Sequence, residues 1–196
     1  MRRRRIVLAA ALIAVLAGCV PRYGVSTSRD DFAGRTVHRM RGNVLADPDG
    51  GGEWIELNVE VSRGRASAPD LSLALLYRDT SRWLWVPYGE SLQILADREL
   101  IVLNGTGSFR SRRRSPLGVE ERVMYPISPD QLRRIVSADT VRLRILGRRE
   151  YVERRFSDKG RLRLREFVKE QFDESTAPGP NSAPTGSRQP QAAPLT

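Results

Sequence analysis

The sequence predicts an α+β fold: mainly antiparallel β-sheet, as a curved sheet or a sandwich, with two helices near the C-terminal end. Three observations lead there. Apolar and polar residues alternate with period two over several short runs, as in half-buried strands. The connections between those runs are short, which favours antiparallel hairpins over crossovers. Helical periodicity is confined to two segments late in the chain, around Leu132 and around Leu164.

The first residues form a different kind of unit. Arg2 to Arg5 precede an apolar run from Ile6 to Leu16, and the run closes on Leu16-Ala17-Gly18-Cys19. A charged start, a short apolar stretch and small residues before a cut are what a signal peptidase reads, and the stretch is too short to span a bilayer. An N-terminal signal helix is therefore expected over residues 1–18. These residues resemble the lipobox of bacterial lipoproteins. The resemblance implies cleavage after Gly18 and attachment of lipid, palmitate included, to the Cys19 sulfur and then to the freed amine. One acyl chain binds a membrane reversibly, whereas two or three hold it stably. Family behaviour also associates inner-membrane retention with Asp after the cysteine. Val20 there implies an outer-membrane lipoprotein facing the periplasm. An ordinary secretory signal, with Cys19 incidental, is the alternative.

Residues 19–34 are polar and read as a spacer behind the lipidated Cys19. Residues 35–172 then form a single domain with a real core. Strands are expected from Thr36 to Leu45, through Ile55, Leu57, Val59 and Val61, through Leu71, Leu73, Leu75 and Tyr77, and from Arg82 to Pro87. In the first of the alternating runs Glu56, Asn58 and Glu60 belong to a wet face. Further strands are expected at Leu92 to Ala96, Leu100 to Leu103, Glu120 to Ile127, Val141 to Ile145 and Tyr151 to Phe156. Asn104-Gly105 carries a hairpin-turn signal. Taking Gly147-Arg148 as a two-residue loop places Arg144 opposite Tyr151 and Arg142 opposite Glu153, with Val141, Leu143, Ile145 and Val152 inward.

Ser128-Pro129-Asp130-Gln131 is a capping box with proline at the first helical position, so a helix starts there and ends near Ala138. A second helix begins near Ser157 and aligns Leu164, Phe167, Val168 and Phe172 on one stripe. From residue 173 to 196 five prolines stand among Ser, Gly, Ala and Gln, a composition expected to stay disordered.

Charge and chemistry narrow the function classes. The formal charge of +10 falls to +6 when Arg2, Arg3, Arg4 and Arg5 leave with the signal. In an envelope compartment nucleic acid is not an expected partner. The membrane is one, through the lipid, and an envelope protein is the second candidate. Cys19 is the only cysteine and His38 the only histidine, so no disulfide is available and any nucleophile–histidine arrangement must be built on His38. No catalytic signature surrounds His38, and no catalytic residue and no cofactor is expected.

Asp47, Asp49 and Glu53 bring three carboxylates into a glycine-rich loop; this is a weak metal candidate or simply a hairpin loop. The glycines lack the Lys-Ser/Thr end of a phosphate loop. Arg110, Arg112, Arg113 and Arg114 are either a site for anionic surfaces or a solvated loop. Trp83 and Trp85 share one face of their strand and are expected in the core, with an exposed aromatic patch for a partner as the alternative. From Leu71 to Phe172 the order of elements resembles uncharacterised proteobacterial envelope lipoproteins. The expected function is a membrane-anchored, non-enzymatic binding or assembly module. A carrier of a lipid or other apolar ligand, and an envelope hydrolase, are the alternatives.

Overall fold

The computed structural model describes residues 23–47, 50, 52–64 and 68–173. The expected signal helix, Cys19, Asp49 and nearly all of the expected disordered tail lie outside them. Among the described residues, ten strands and two helices make up an α+β fold whose strands are all antiparallel. Six of them, β1 (Gly24–Asp30), β2 (Arg35–Arg41), β3 (Trp54–Arg63), β4 (Asp70–Asp79), β8 (Gly118–Pro126) and β7 (Arg112–Ser115), form one sheet in that spatial order. The other sheet runs β10 (Tyr151–Arg155), β9 (Val141–Leu146), β5 (Tyr88–Ala96) and β6 (Glu99–Thr106). The helices are α1 (Pro129–Ser137) and α2 (Asp158–Asp173).

Period-two patterning builds the core. Ile55, Leu57, Val59 and Val61 of β3 face the same way as Leu71, Leu73, Leu75 and Tyr77 of β4, and all eight are buried. Leu92, Ile94, Val141, Leu143 and Ile145 answer from the second sheet and belong to the same apolar cluster. Ser128 caps α1 as expected, its hydroxyl accepting from Gln131 N while the Gln131 side chain accepts from Ser128 N. Leu164, Phe167 and Val168 of α2 complete the cluster.

Several expectations require correction. The segment taken as a spacer contains β1, which pairs with all of β2 from Gly24↔Arg41 to Asp30↔Arg35. It is an edge strand, so neither of its faces has to be apolar. The segment after Arg41 does not prolong β2; Val44 and Ala46 instead bridge to Glu56 and Arg155. The polar face of β3 is not wet: Glu56 and Asn58 are buried, and Glu56 accepts from Gly42 N at 3.0 Å, Trp54 Nε1 at 3.0 Å and Asn58 Nδ2 at 3.1 Å.

Asn104 and Gly105 are strand residues in β6, opposite Glu90 and Gly89. The β5–β6 turn falls at Asp97-Arg98, where Asp97 adopts a φ of 52° and its carboxylate accepts from the backbone of Asp139 and Thr140. Those bonds, the Thr140 N–H first, hold the Asp97 carboxyl below its ordinary range. Gly105 serves close approach instead: a Cβ there would sit 2.6 Å from the Tyr125 ring and 2.9 Å from the Val123 side chain, where β6 passes β8.

The β9–β10 loop holds four residues, not two, with Gly147 N donating to Glu150 O at 2.8 Å. The register moves by two, so Arg144 pairs with Glu153 while the inward set is unchanged. A two-residue shift keeps every side chain on its own face. Finally, the residues from Arg82 to Pro87 form no strand.

Candidate functional site

That irregular segment is shaped by one buried acid. Glu121 stands on the inward face of β8 between Val119 and Val123 and is 1% exposed. Its carboxylate accepts from the backbone N–H groups of Leu84 at 2.6 Å, Trp85 at 2.9 Å and Val86 at 3.2 Å. Three successive N–H groups aimed at one anion replace the water a carboxylate loses on burial. The clamp also holds Trp85 at a φ of 57°, a left-handed conformation that a bulky residue adopts only when its surroundings impose it.

Because Leu84 and Val86 take the core positions, Trp83 and Trp85 are turned outward. The expectation of a core pair is thus corrected: Trp83 is half-buried and Trp85 is 43% exposed. Both alternations of Trp-Leu-Trp-Val are apolar, so parity alone left the choice open. Glu121 makes it. The two indoles lie 6.0 Å apart between ring centres, tilted by 51°.

The arginine run lies beside them. Arg112, Arg113 and Arg114 are not a loop but β7, at the edge of the six-stranded sheet, with Arg110 exposed just before it. The Arg112 guanidinium sits 3.9 Å from the Trp85 ring centre, 5.1 Å from Phe109 and 5.9 Å from Trp83, and Arg114 lies 5.9 Å from Trp83. These are cation–π distances. Arg113 turns to Glu120, which Arg78 also engages at 2.9 Å. Among the described residues no carboxylate pairs with Arg112, and its Nε is buried without an acceptor. Two groups that the sequence presents separately therefore form one surface. It joins flat aromatic faces, a stacked guanidinium and the exposed Phe109.

The acidic loop is organised differently. Glu53 accepts from Arg154 at 2.7 Å and also engages Arg82, while Asp47 lies 3.4 Å from Arg154. The counter-charges of these two acids are guanidinium groups, and among the described residues no cluster of His, Cys, Asp or Glu is arranged to hold a metal ion. His38 is half-buried on β2, with its Nδ1 3.1 Å from Thr27 Oγ1 across the β1–β2 pair. A groove of about 360 Å³ crosses the outer face of the six-stranded sheet beside Arg39, Arg41, Glu60 and Arg122. Glu60 joins two of these arginines, Arg39 at 3.2 Å and Arg122.

No helix among the described residues is long and apolar enough to cross a membrane. Glu121 and Arg154 are the contributors that pattern reading passed over. Each shares parity with inward apolar neighbours, Val123 and Val152, and that was the available signal. No family model matches the chain, and neither a curated protein nor a solved structure is similar enough to count as a match.

Proposed function

We propose that the protein is a lipid-anchored module of the bacterial envelope that binds rather than catalyses. Acylated Cys19 holds it in the outer membrane facing the periplasm, and the arginine–aromatic surface makes its contacts. The observation that carries this reading is the Glu121 clamp. A buried carboxylate and a left-handed tryptophan backbone are both costly, and together they keep Trp85 at the surface instead of in the core. Trp, Phe and Arg are the residues enriched where surfaces bind partners.

For an apolar-ligand carrier the natural cavity is the layer of Leu73, Leu75, Val141 and Leu143, yet those side chains are packed into one buried cluster. The binding-module reading has the greater support. Replacing the anchor tests it first: Cys19→Ser abolishes metabolic lipid labelling and moves the protein out of the membrane fraction. Unchanged labelling and fractionation would refute the anchor.

A further inference from the structure

The six-stranded sheet is interrupted between β2 and β3. Regular pairing runs from Thr36↔Arg63 to Arg39↔Glu60, and the chain then turns aside at Gly42, with a φ of 72°, before meeting β3 again through the Val44–Glu56 bridge. Side chains of β3 fill the breach. Glu56 accepts from Gly42 N and Asn58 Oδ1 accepts from Asn43 N, each at 3.0 Å. Both side chains are buried, which their hydrogen bonds make tolerable. Polar residues buried in a sheet face depart from the pattern that folding alone favours, and such departures concentrate at functional sites.

The groove of about 360 Å³ opens at this interruption. Met40 belongs to the core, so Arg39 and Arg41 project to the outer face and bound the groove on the β2 side. Arg122 bounds it on the β8 side and reaches back across β4 to Glu60. The small Ala74 lies midway between their register positions, and with Leu76 it gives the groove an apolar lining.

The acids of the groove are already engaged. Glu56 takes the N–H groups of Gly42, Trp54 and Asn58 and lies 3.5 Å from Arg78, which Glu120 shares at 2.9 Å. Glu60 holds Arg39 at 3.2 Å together with Arg122. The remaining arginine, Arg41, is exposed, and among the described residues no carboxylate pairs with it. One positive charge is thus left over at the rim. Its neighbours are held in place by their acids, so a ligand meets a site that is largely ordered beforehand.

We infer that this groove binds a small organic carboxylate: its singly charged head pairs with Arg41, and its apolar body lies along Ala74 and Leu76. Guanidinium and carboxylate match as a planar pair joined by two hydrogen bonds. The volume stands at the small end of the range for ligand sites. A single surplus charge suits a monoanion better than a doubly charged phosphate ester. The groove shares no residue with the arginine–aromatic surface and requires no lipid on Cys19, so its failure leaves the binding-module reading intact.

Saturation-transfer NMR on the full chain in nonionic detergent micelles, with benzoate as the probe, tests the site. Benzoate is expected to receive saturation beyond that seen with micelles alone. Arg41→Gln, a change at an exposed and unpaired side chain, should weaken the binding about tenfold, whereas Arg142→Gln removes the same charge from the exposed face of β9 and should leave it unchanged. Benzamide keeps the ring without the charge and should receive no more saturation than with micelles alone. Acetate and inorganic phosphate carry charge without the ring, and should displace benzoate only at several-fold excess. Binding that survives Arg41→Gln, or that is lost with Arg112→Gln instead, overturns the assignment to the groove. Equal saturation of benzamide, or displacement by equimolar acetate or phosphate, overturns the organic-carboxylate chemistry. Benzoate that receives no saturation from the protein overturns both.

Discussion

Two arginines treat their charge in opposite ways. Arg154 of β10 is 6% exposed and meets Glu53 and Asp47. Arg112, on the edge strand β7, meets the faces of Trp85, Phe109 and Trp83. The first arginine is neutralised inside the fold, so its work is structural. The second keeps its charge at a surface where aromatic faces meet it and, among the described residues, no carboxylate is paired with it, so that charge stays available to an anion from outside. A charged side chain says little about function until its partner is known.

Removing each arginine puts this contrast at risk. The largest effect is expected for Arg154→Met, which takes the buried guanidinium from Asp47 and Glu53, leaves Glu53 only its contact with Arg82, and costs about 3–5 kcal/mol. Urea unfolding measures it as a lower midpoint. Glu121→Ala comes next. It strips the acceptor from three backbone N–H groups and lowers stability by roughly 3 kcal/mol, with a red shift of tryptophan emission as Trp83 and Trp85 lose their support. Arg112→Met is expected to cost only about 1 kcal/mol or less, the range of an exposed cation–π contact. If Arg112→Met destabilises the protein as much as Arg154→Met, Arg112 is a structural residue and the contrast fails.

The strands that were legible in the sequence are those with one face in the core. In β3, β4 and β9 every second residue is apolar, because each of those positions had to be buried. The edge strands β1 and β7 escaped notice for the same physical reason: with backbone pairing on one side only and both faces partly in water, nothing requires alternation. Asn104-Gly105 misled because glycine has two uses, and here the missing Cβ makes room for Tyr125 instead of allowing a turn. For the candidate site, the sequence exposed both halves but not their meeting. Trp85 and Arg112 are far apart along the chain and come together only because β7 follows β8 at the sheet edge and Glu121 draws the Trp85 backbone toward β8.

The polar character of the outermost strands has one more consequence. An open sheet edge is a row of unpaired donors and acceptors that invites a second copy of the same chain to extend it. Here β7 is four residues long and offers three consecutive arginines, while β1 ends in Arg29 and Asp30. A second β7 brought alongside would face like charge directly opposite, which destabilises strand pairing. The six-stranded sheet is thereby protected from edge-to-edge aggregation, a hazard that grows wherever many copies are crowded onto one surface.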